Sequence, residues 1–268
     1  MAYETILVER EDGVLILTFN RPDRLNAFTA KLLQESTRVL QEASGDDEVK
    51  AAIITGAGRA FCSGNDLADP MGGVDIKQPG INRNVVMKPF VSFGWLMEQI
   101  ENFPKPLIAA VNGIASGLGL AIASACDIRI ASENARFASI YVKRGLIPDA
   151  GTTYYLPRVV GASKALEMMW SGDFVDAQEA KRIGLVNCVV PADKLMTEAR
   201  GYAKRLAAGP SVVIEMTKHL VRDSLRASSL MTQMANESFA VSLCAQTEDA
   251  LEGITAFLEK REPKYKGR

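Results

Sequence analysis

A chain of 268 residues, 47% of them hydrophobic, is long enough for one large domain with an appendage and a substantial core. Its net charge of -1 argues against a nucleic-acid or other polyanion binder. Four scattered cysteines (Cys62, Cys126, Cys188, Cys244) and the one histidine, His219, argue against a disulfide framework or a zinc site. The expected setting is reducing and cytoplasmic. Met1 to Thr5 carries an acid early and is no secretion signal, and no run of about 18 apolar residues predicts a membrane span.

Ile6-Leu7-Val8 and Val14 through Phe19 read as two strands about Asp12-Gly13, a hairpin signal. Asn20-Arg21-Pro22-Asp23 is a loop. Leu25-Asn26-Ala27-Phe28 leads into a helix through Ala43, with Phe28, Leu32, Leu33, Val39, Leu40 and Ala43 near one face. A buried strand over 49–55 is stopped by Gly56-Ala57-Gly58. Arg59 to Leu67 reads as a loop that presents backbone near a site, because it follows a strand and holds a second glycine turn. Residues 69–84 are polar and rich in Gly and Pro, and read equally as a loop covering a substrate or as a surface excursion. Residues 91–100 read as a helix ending before Pro104-Lys105-Pro106.

Residues 108–127 organise the chain: an apolar strand, a turn at Asn112-Gly113, then a helix of small and apolar residues begun between Gly117 and Gly119. The first N–H groups of such a helix lack intrahelical partners and can donate to an oxygen that develops negative charge. Taken alone, the stretch is more readily a small-residue packing helix with a glycine turn. Strands over 127–131 and Leu185 to Val190 follow, so strands alternate with helices and the class is α/β. Residues 137–149 bridge to a helix beginning near Gly151-Thr152-Thr153, and another runs from Gly161 to Trp170. Asp176 to Ala180 is a short helix, with Asp176 and Glu179 spaced as a capping box. From Pro191 the pattern is helical only, over about 191–208, 211–225, 228–244 and 246–260. Val212, Val213, Met216, Leu220 and Val221, then Leu230, Met231, Met234, Phe239 and Leu243, form stripes suited to core or oligomer contact. The expected division is a core over 1–195 and a helical oligomerisation region over 196–268.

Several motifs in order resemble the enoyl-CoA hydratase/isomerase (crotonase) family. They are Asn20-Arg21-Pro22 with Leu25-Asn26-Ala27, Arg59 through Leu67, Val111-Asn112-Gly113 through Cys126-Asp127, Gly145 through Gly151, Gly184-Leu185-Val186 and Phe257 through Arg261. The resemblance implies a crotonase-like core of repeated ββα turns with a C-terminal helical trimerisation region. It implies an acyl-CoA thioester substrate, no cofactor beyond the coenzyme A that the substrate carries, no metal, no nucleic acid, no membrane, and a homotrimer or dimer of trimers. Two backbone N–H groups would hold the thioester oxygen, and by motif they fall at Asn65 and Leu118. Coenzyme A would lie along Arg24, Leu25, Ala27, Ala60, Ser63 and Asp66, with Lys260, Arg261 or Lys264 of a neighbouring subunit near its 3′-phosphate. A solvated basic tail is the plainer reading of those last three.

Hydratases of the family use two glutamates to hold and split water, and the matching positions here are Ala121 and Tyr141. Alanine transfers no proton, and a tyrosine of pKa near 10 is a poor base, though it can donate a hydrogen bond. A carboxylate stands instead at Asp149, where several isomerase branches carry an Asp or Glu. There it can move a proton between C2 and C4 of an enoyl-CoA. Asp149 is equally well placed as a helix N-cap. The remaining carboxylates serve structure more readily: Asp66 after the loop, Asp127 at a strand start, and Glu133 in a polar loop. Ser63 has no partner histidine, since His219 belongs to a surface or interface face. Trp95, Trp170, Tyr154 and Tyr155 read as core or pocket aromatics. The expected activity is an enoyl-CoA isomerase. The alternatives are an enoyl-CoA hydratase or an idle acyl-CoA-binding member.

Overall fold

The computed structural model describes residues 3–69, 93–227 and 229–268. Most of the 69–84 stretch and the first two residues of the helix expected over 91–100 lie outside the described residues. The strands are β1 (Ile6–Glu11), β2 (Val14–Phe19), β3 (Ala51–Gly56), β4 (Ala60–Cys62), β5 (Leu107–Val111), β6 (Ile114–Ser116), β7 (Ile128–Ser132), β8 (Arg136–Ala138), β9 (Val175–Asp176) and β10 (Cys188–Val190). The helices are α1 (Ala30–Ser44), α2 (Gly94–Asn102), α3 (Leu118–Ala125), α4 (Thr152–Val160), α5 (Ala162–Ser171), α6 (Ala177–Arg182), α7 (Leu195–Ala207), α8 (Ser211–Ser224), α9 (Leu230–Cys244) and α10 (Glu248–Glu259).

Two sheets result. The larger runs β1-β2-β3-β5-β7-β10 and is parallel except for the β1–β2 hairpin. The smaller runs β4-β6-β8-β9, its first three strands parallel. Successive pairs β3–β4, β5–β6 and β7–β8 each give one strand to each sheet, which is the repeating unit of the fold.

The inner strands β2, β3, β5 and β7 of the larger sheet are buried on both faces, which explains their near-continuous apolar sequence. Leu15, Leu17 and Phe19 of β2 face inward with Ala52, Ile54, Ala109 and Val111, against Leu32, Val39 and Leu40 of α1. The alternate residues Val14, Ile16, Ala51, Ile53, Ile108 and Ala110 face Leu195, Ala199 and Ala203 of α7. The helical region expected from residue 196 therefore begins inside a helix that the sheet buries. Every residue of α3 is buried. A helix apolar all round must be enclosed, and small side chains let it lie close to the smaller sheet.

Several expectations are corrected. The stretch 59–67 holds strand β4, and the turn after Val111 leads into β6 before the helix. Leu25 and Asn26 are left-handed (φ 50° and 54°), and α1 starts only after Thr29, whose side chain accepts from Leu32 N. Residues 137–149 contain the end of β8 and a 3-10 turn over Ile140–Arg144. The strand expected from Leu185 is confined to β10. Asp176 caps α6 by accepting from Glu179 N, but the Glu179 carboxylate turns to Arg182 and Lys164, so no reciprocal box forms. Trp95 and Trp170 are exposed, outside the core.

Candidate active site

The smaller sheet explains where the site falls. Strands β4, β6 and β8 are parallel neighbours, so their C-terminal ends open on one edge. The chain leaves β4 through Ser63-Gly64-Asn65, β6 through Gly117-Leu118, and β8 through Ser139-Ile140-Tyr141. Segments far apart in sequence thus meet at one place, as ligand sites do at strand carboxyl ends.

The turns after β4 and β6 are tied together. Ser116 Oγ donates to Ser63 O at 2.8 Å. Gly64 and Gly117 have φ of 114° and 55°, and a Cβ on Gly64 would lie 4.0 Å from Leu118 N. A Cβ on Gly119 would fall on the carbonyl of Cys62, so only glycine lets α3 approach β4 this closely. Among the described residues neither the Asn65 nor the Leu118 N–H has a hydrogen-bond acceptor. The Asn65 bridge to Phe28 uses Gly64 O and Asp66 N instead. Leu118 is the first residue of α3, and no side chain caps that end. Two main-chain donors with no acceptor among the described residues therefore stand on adjacent turns.

Tyr141 closes the next side. It is only 8% exposed, and its Cζ would lie 3.8 Å from a Cβ on Gly117. Its hydroxyl is buried and closes no hydrogen bond among the described residues. It lies against Asp149 and Thr152, and burial followed by the Asp149 charge pushes its pKa far above that of a free phenol.

Asp149 sits on the loop into α4. Ala150 and Gly151 are both left-handed, at φ 49° and 75°, and Gly151 is the N-cap of the helix. The N-cap reading of Asp149 is thereby overturned: its carbonyl, not its carboxylate, accepts from Thr152 N and Thr152 Oγ1. The residue is exposed, yet partial desolvation raises its pKa despite the opposing effect of the Tyr141 hydroxyl. Ala121 stands inside α3, fully buried.

The loops expected to follow coenzyme A are knitted to each other. Ser63 N donates to Leu25 O, and Ala27 N to Arg24 O. Asn26, named in the motif but given no role there, organises this region: it is fully buried, and Nδ2 donates to Ala57 O and Ala60 O while Oδ1 accepts from Arg21 N. Asp66 pairs with Arg21 at 3.0 Å, and Arg21 also donates to Ala27 O. Burial pushes the Asp66 carboxyl up, but Arg21 outweighs it and holds the group below its usual range. Lys260 stands apart from these loops as the left-handed C-cap of α10. Arg261 is engaged with Glu252 and Glu259.

The other reactive types are occupied or inert. Burial pushes the thiols of Cys62 and Cys126 up to about 12. His219 is exposed and pairs with Asp223. Glu133 accepts from Ala192 N. A cavity of about 170 Å³ lies at the opposite end of α3, lined by Glu101, Asp127, Arg158 and Arg222 among others. Tyr154 and Tyr155, expected as core or pocket aromatics, line it, but none of the candidate oxyanion, proton-transfer or coenzyme A residues does. Its carboxylates are already paired with Arg222, Arg226 and Lys218.

The model of the enoyl-CoA hydratase/isomerase family matches residues 9–268. The chain belongs to the enoyl-CoA hydratase/isomerase family. It is 38% identical over 264 residues to the short-chain-enoyl-CoA hydratase of Clostridium acetobutylicum, covering 97% of each chain. It is 36% identical over 265 residues to the 1,2-epoxyphenylacetyl-CoA isomerase of Escherichia coli, covering 99% of each. The crystal structure of an enoyl-CoA hydratase from Bacillus anthracis superposes with a TM-score of 0.90 at 35% identity, covering 99% of this chain and 100% of that one. The fold is thus that of the crotonase-like enoyl-CoA hydratases, and the chain is an enzyme of this hydratase/isomerase family.

Proposed function

We propose that this family member is an enoyl-CoA isomerase that shifts a double bond in an acyl-CoA thioester. The thioester oxygen accepts from the N–H groups of Asn65 and Leu118. The Asp149 carboxylate takes a proton from C2 of a 3-enoyl-CoA, and the electron pair delocalises onto the thioester oxygen as a dienolate. The same carboxyl returns the proton to C4, giving the 2-enoyl-CoA with no net change in atoms. Removing one oxyanion donor typically costs about 2.7–4 kcal/mol of barrier, so holding that charge is the larger part of the work. The substrate class includes ring acyl-CoA thioesters, a choice supported by the name of the Escherichia coli relative.

The observation that carries this reading is the pairing of a buried alanine at 121 and a non-ionising phenol at 141 with a carboxylate at 149. Hydration needs a held water and two proton-transfer groups, whereas a 1,3-shift needs one base. Coenzyme A is proposed to run along Arg24, Leu25, Ala27, Ala60, Ser63 and Asp66, with Lys260 reaching it from a neighbouring subunit of a trimer or dimer of trimers.

The test incubates the enzyme with trans-3-hexenoyl-CoA and, separately, with crotonyl-CoA in ¹⁸O-labelled water. The expected result is conversion of the 3-enoyl to the 2-enoyl thioester without ¹⁸O uptake, slowed about 10²–10⁴-fold in Asp149→Asn. Rapid ¹⁸O incorporation that survives in Asp149→Asn would establish the hydratase reading instead. Binding of both thioesters without turnover would make the chain an idle acyl-CoA binder.

A further inference from the structure

We infer that Tyr141 is a positioning residue for Asp149, its phenolic O–H being the donor that orients the carboxylate toward the space beside the Asn65 and Leu118 amides. The consequence for catalysis rests on Asp149 as the proton carrier; the geometry does not.

A phenol is both donor and acceptor, and an unpaired buried one costs about 1–3 kcal/mol. Tyr141 Oη is such a group, enclosed and without a hydrogen bond among the described residues. Two side-chain acceptors lie beside it, the Thr152 hydroxyl and the Asp149 carboxylate. Thr152 Oγ1 donates to Asp149 O at 2.7 Å, and an ionised carboxylate is the stronger acceptor of the two. The Tyr141 backbone is fixed by Leu146 N, which donates to its carbonyl, and its ring tip is fixed beside Gly117. An O–H···carboxylate bond to Asp149 satisfies the buried phenol, and the loop that carries Asp149 has a constrained backbone. Two left-handed residues follow Asp149 directly, and the Tyr155 ring packs 2.8 Å from where a Cβ on Gly151 would stand.

Among the described residues no other charged side chain acts on the Asp149 carboxyl. Helix α3, which packs on α4, carries no ionisable side chain. Lys143, on the 3-10 turn, is engaged with Asp173, and on α4 Arg158 lies over the Tyr154 ring while Tyr155 donates to Glu101. Among the described residues the Tyr141 hydroxyl is the one side chain that acts on the Asp149 carboxyl, and it acts against the desolvation that raises its pKa. A donor to the charged form favours that form. Tyr141 itself stays protonated across the working range, so it remains a donor throughout.

The test titrates the carboxyls of ¹³C-aspartate-labelled free enzyme by NMR, with Asp149→Asn assigning the resonance. Tyr141→Phe keeps the ring and removes only the donor, and is expected to move the Asp149 midpoint upward by about one pH unit. The acid limb of kcat/KM for trans-3-hexenoyl-CoA should move by the same amount. Incorporation of 3-fluorotyrosine, a stronger donor of nearly the same shape, should move the midpoint downward, which keeps the test open if Tyr141→Phe fails to fold. A midpoint that stays in place, or moves the same way in both proteins, overturns the proposal. A moved midpoint in an enzyme that isomerises no 3-enoyl-CoA sinks the isomerase reading and leaves the positioning role standing.

Discussion

At the scale of single residues, Asp149 couples activity and stability with opposite signs. Desolvation raises its folded pKa above the unfolded value near 3.8. Its contribution to stability is therefore present below the unfolded value and lost as pH rises through the folded one. The ionised form that the reaction needs is the form the fold disfavours. Asp149→Asn is accordingly expected to melt higher than the parent at about pH 7.5, with the difference shrinking as the pH falls toward about 4, while isomerisation is lost. Thermal unfolding at the two pH values measures this, and a variant that melts lower at both would refute it. The candidate at 149 was legible in the sequence because a carboxylate stood in a matching motif position. Its freedom from N-cap duty was not, since that depends on left-handed backbone at Ala150 and Gly151.

At the scale of elements, helix α8 is held to the core by charge rather than by a large apolar face. Asp127 accepts from Lys218 at 2.6 Å and from Arg222 at 3.0 Å, and also from Leu107 N. Burial depresses the Lys218 pKa, and the adjacent Asp127 carboxylate opposes that effect. Removing the shared anion leaves two inward-facing cations without it. Asp127→Ala is expected to destabilise the chain by about 3–5 kcal/mol in urea unfolding, with the loss reduced in Asp127→Asn. An unchanged denaturation midpoint would show the seam to be dispensable. The sequence suggested that Asp127 bonds backbone, which it does. Its ion pairs with residues some ninety positions away carry no local signature. The same limit hid β4, β6 and β8. Three-residue strands are too short to show a period of two, and what makes them strands is their pairing with one another.

At the scale of the whole molecule, α9 and α10 present apolar side chains that the described residues leave uncovered. Met231, Phe239, Phe257 and Leu258 are between 65% and 82% exposed. Exposed apolar surface of this extent marks an interaction face, in keeping with the proposed trimer or dimer of trimers. Sedimentation is expected to give three or six times the 29.0 kDa chain mass. Phe257→Glu combined with Leu258→Glu should shift it to smaller species without loss of helical circular dichroism. A parent protein that sediments as a single chain at micromolar concentration would remove the assembly proposal.

The sequence by itself determined the class of fold, the order of the long strands and helices, the family, and the glycines on which the turns depend. These are written in hydrophobic period and in backbone conformations that few residues can adopt. Tertiary structure alone decided that the ends of three short parallel strands share an edge, so that two unsatisfied amides and a buried phenol converge from residues 65, 118 and 141. Convergence of that kind is set by long-range strand pairing and by the enclosure of α3 between layers, and neither leaves a periodic trace along the chain.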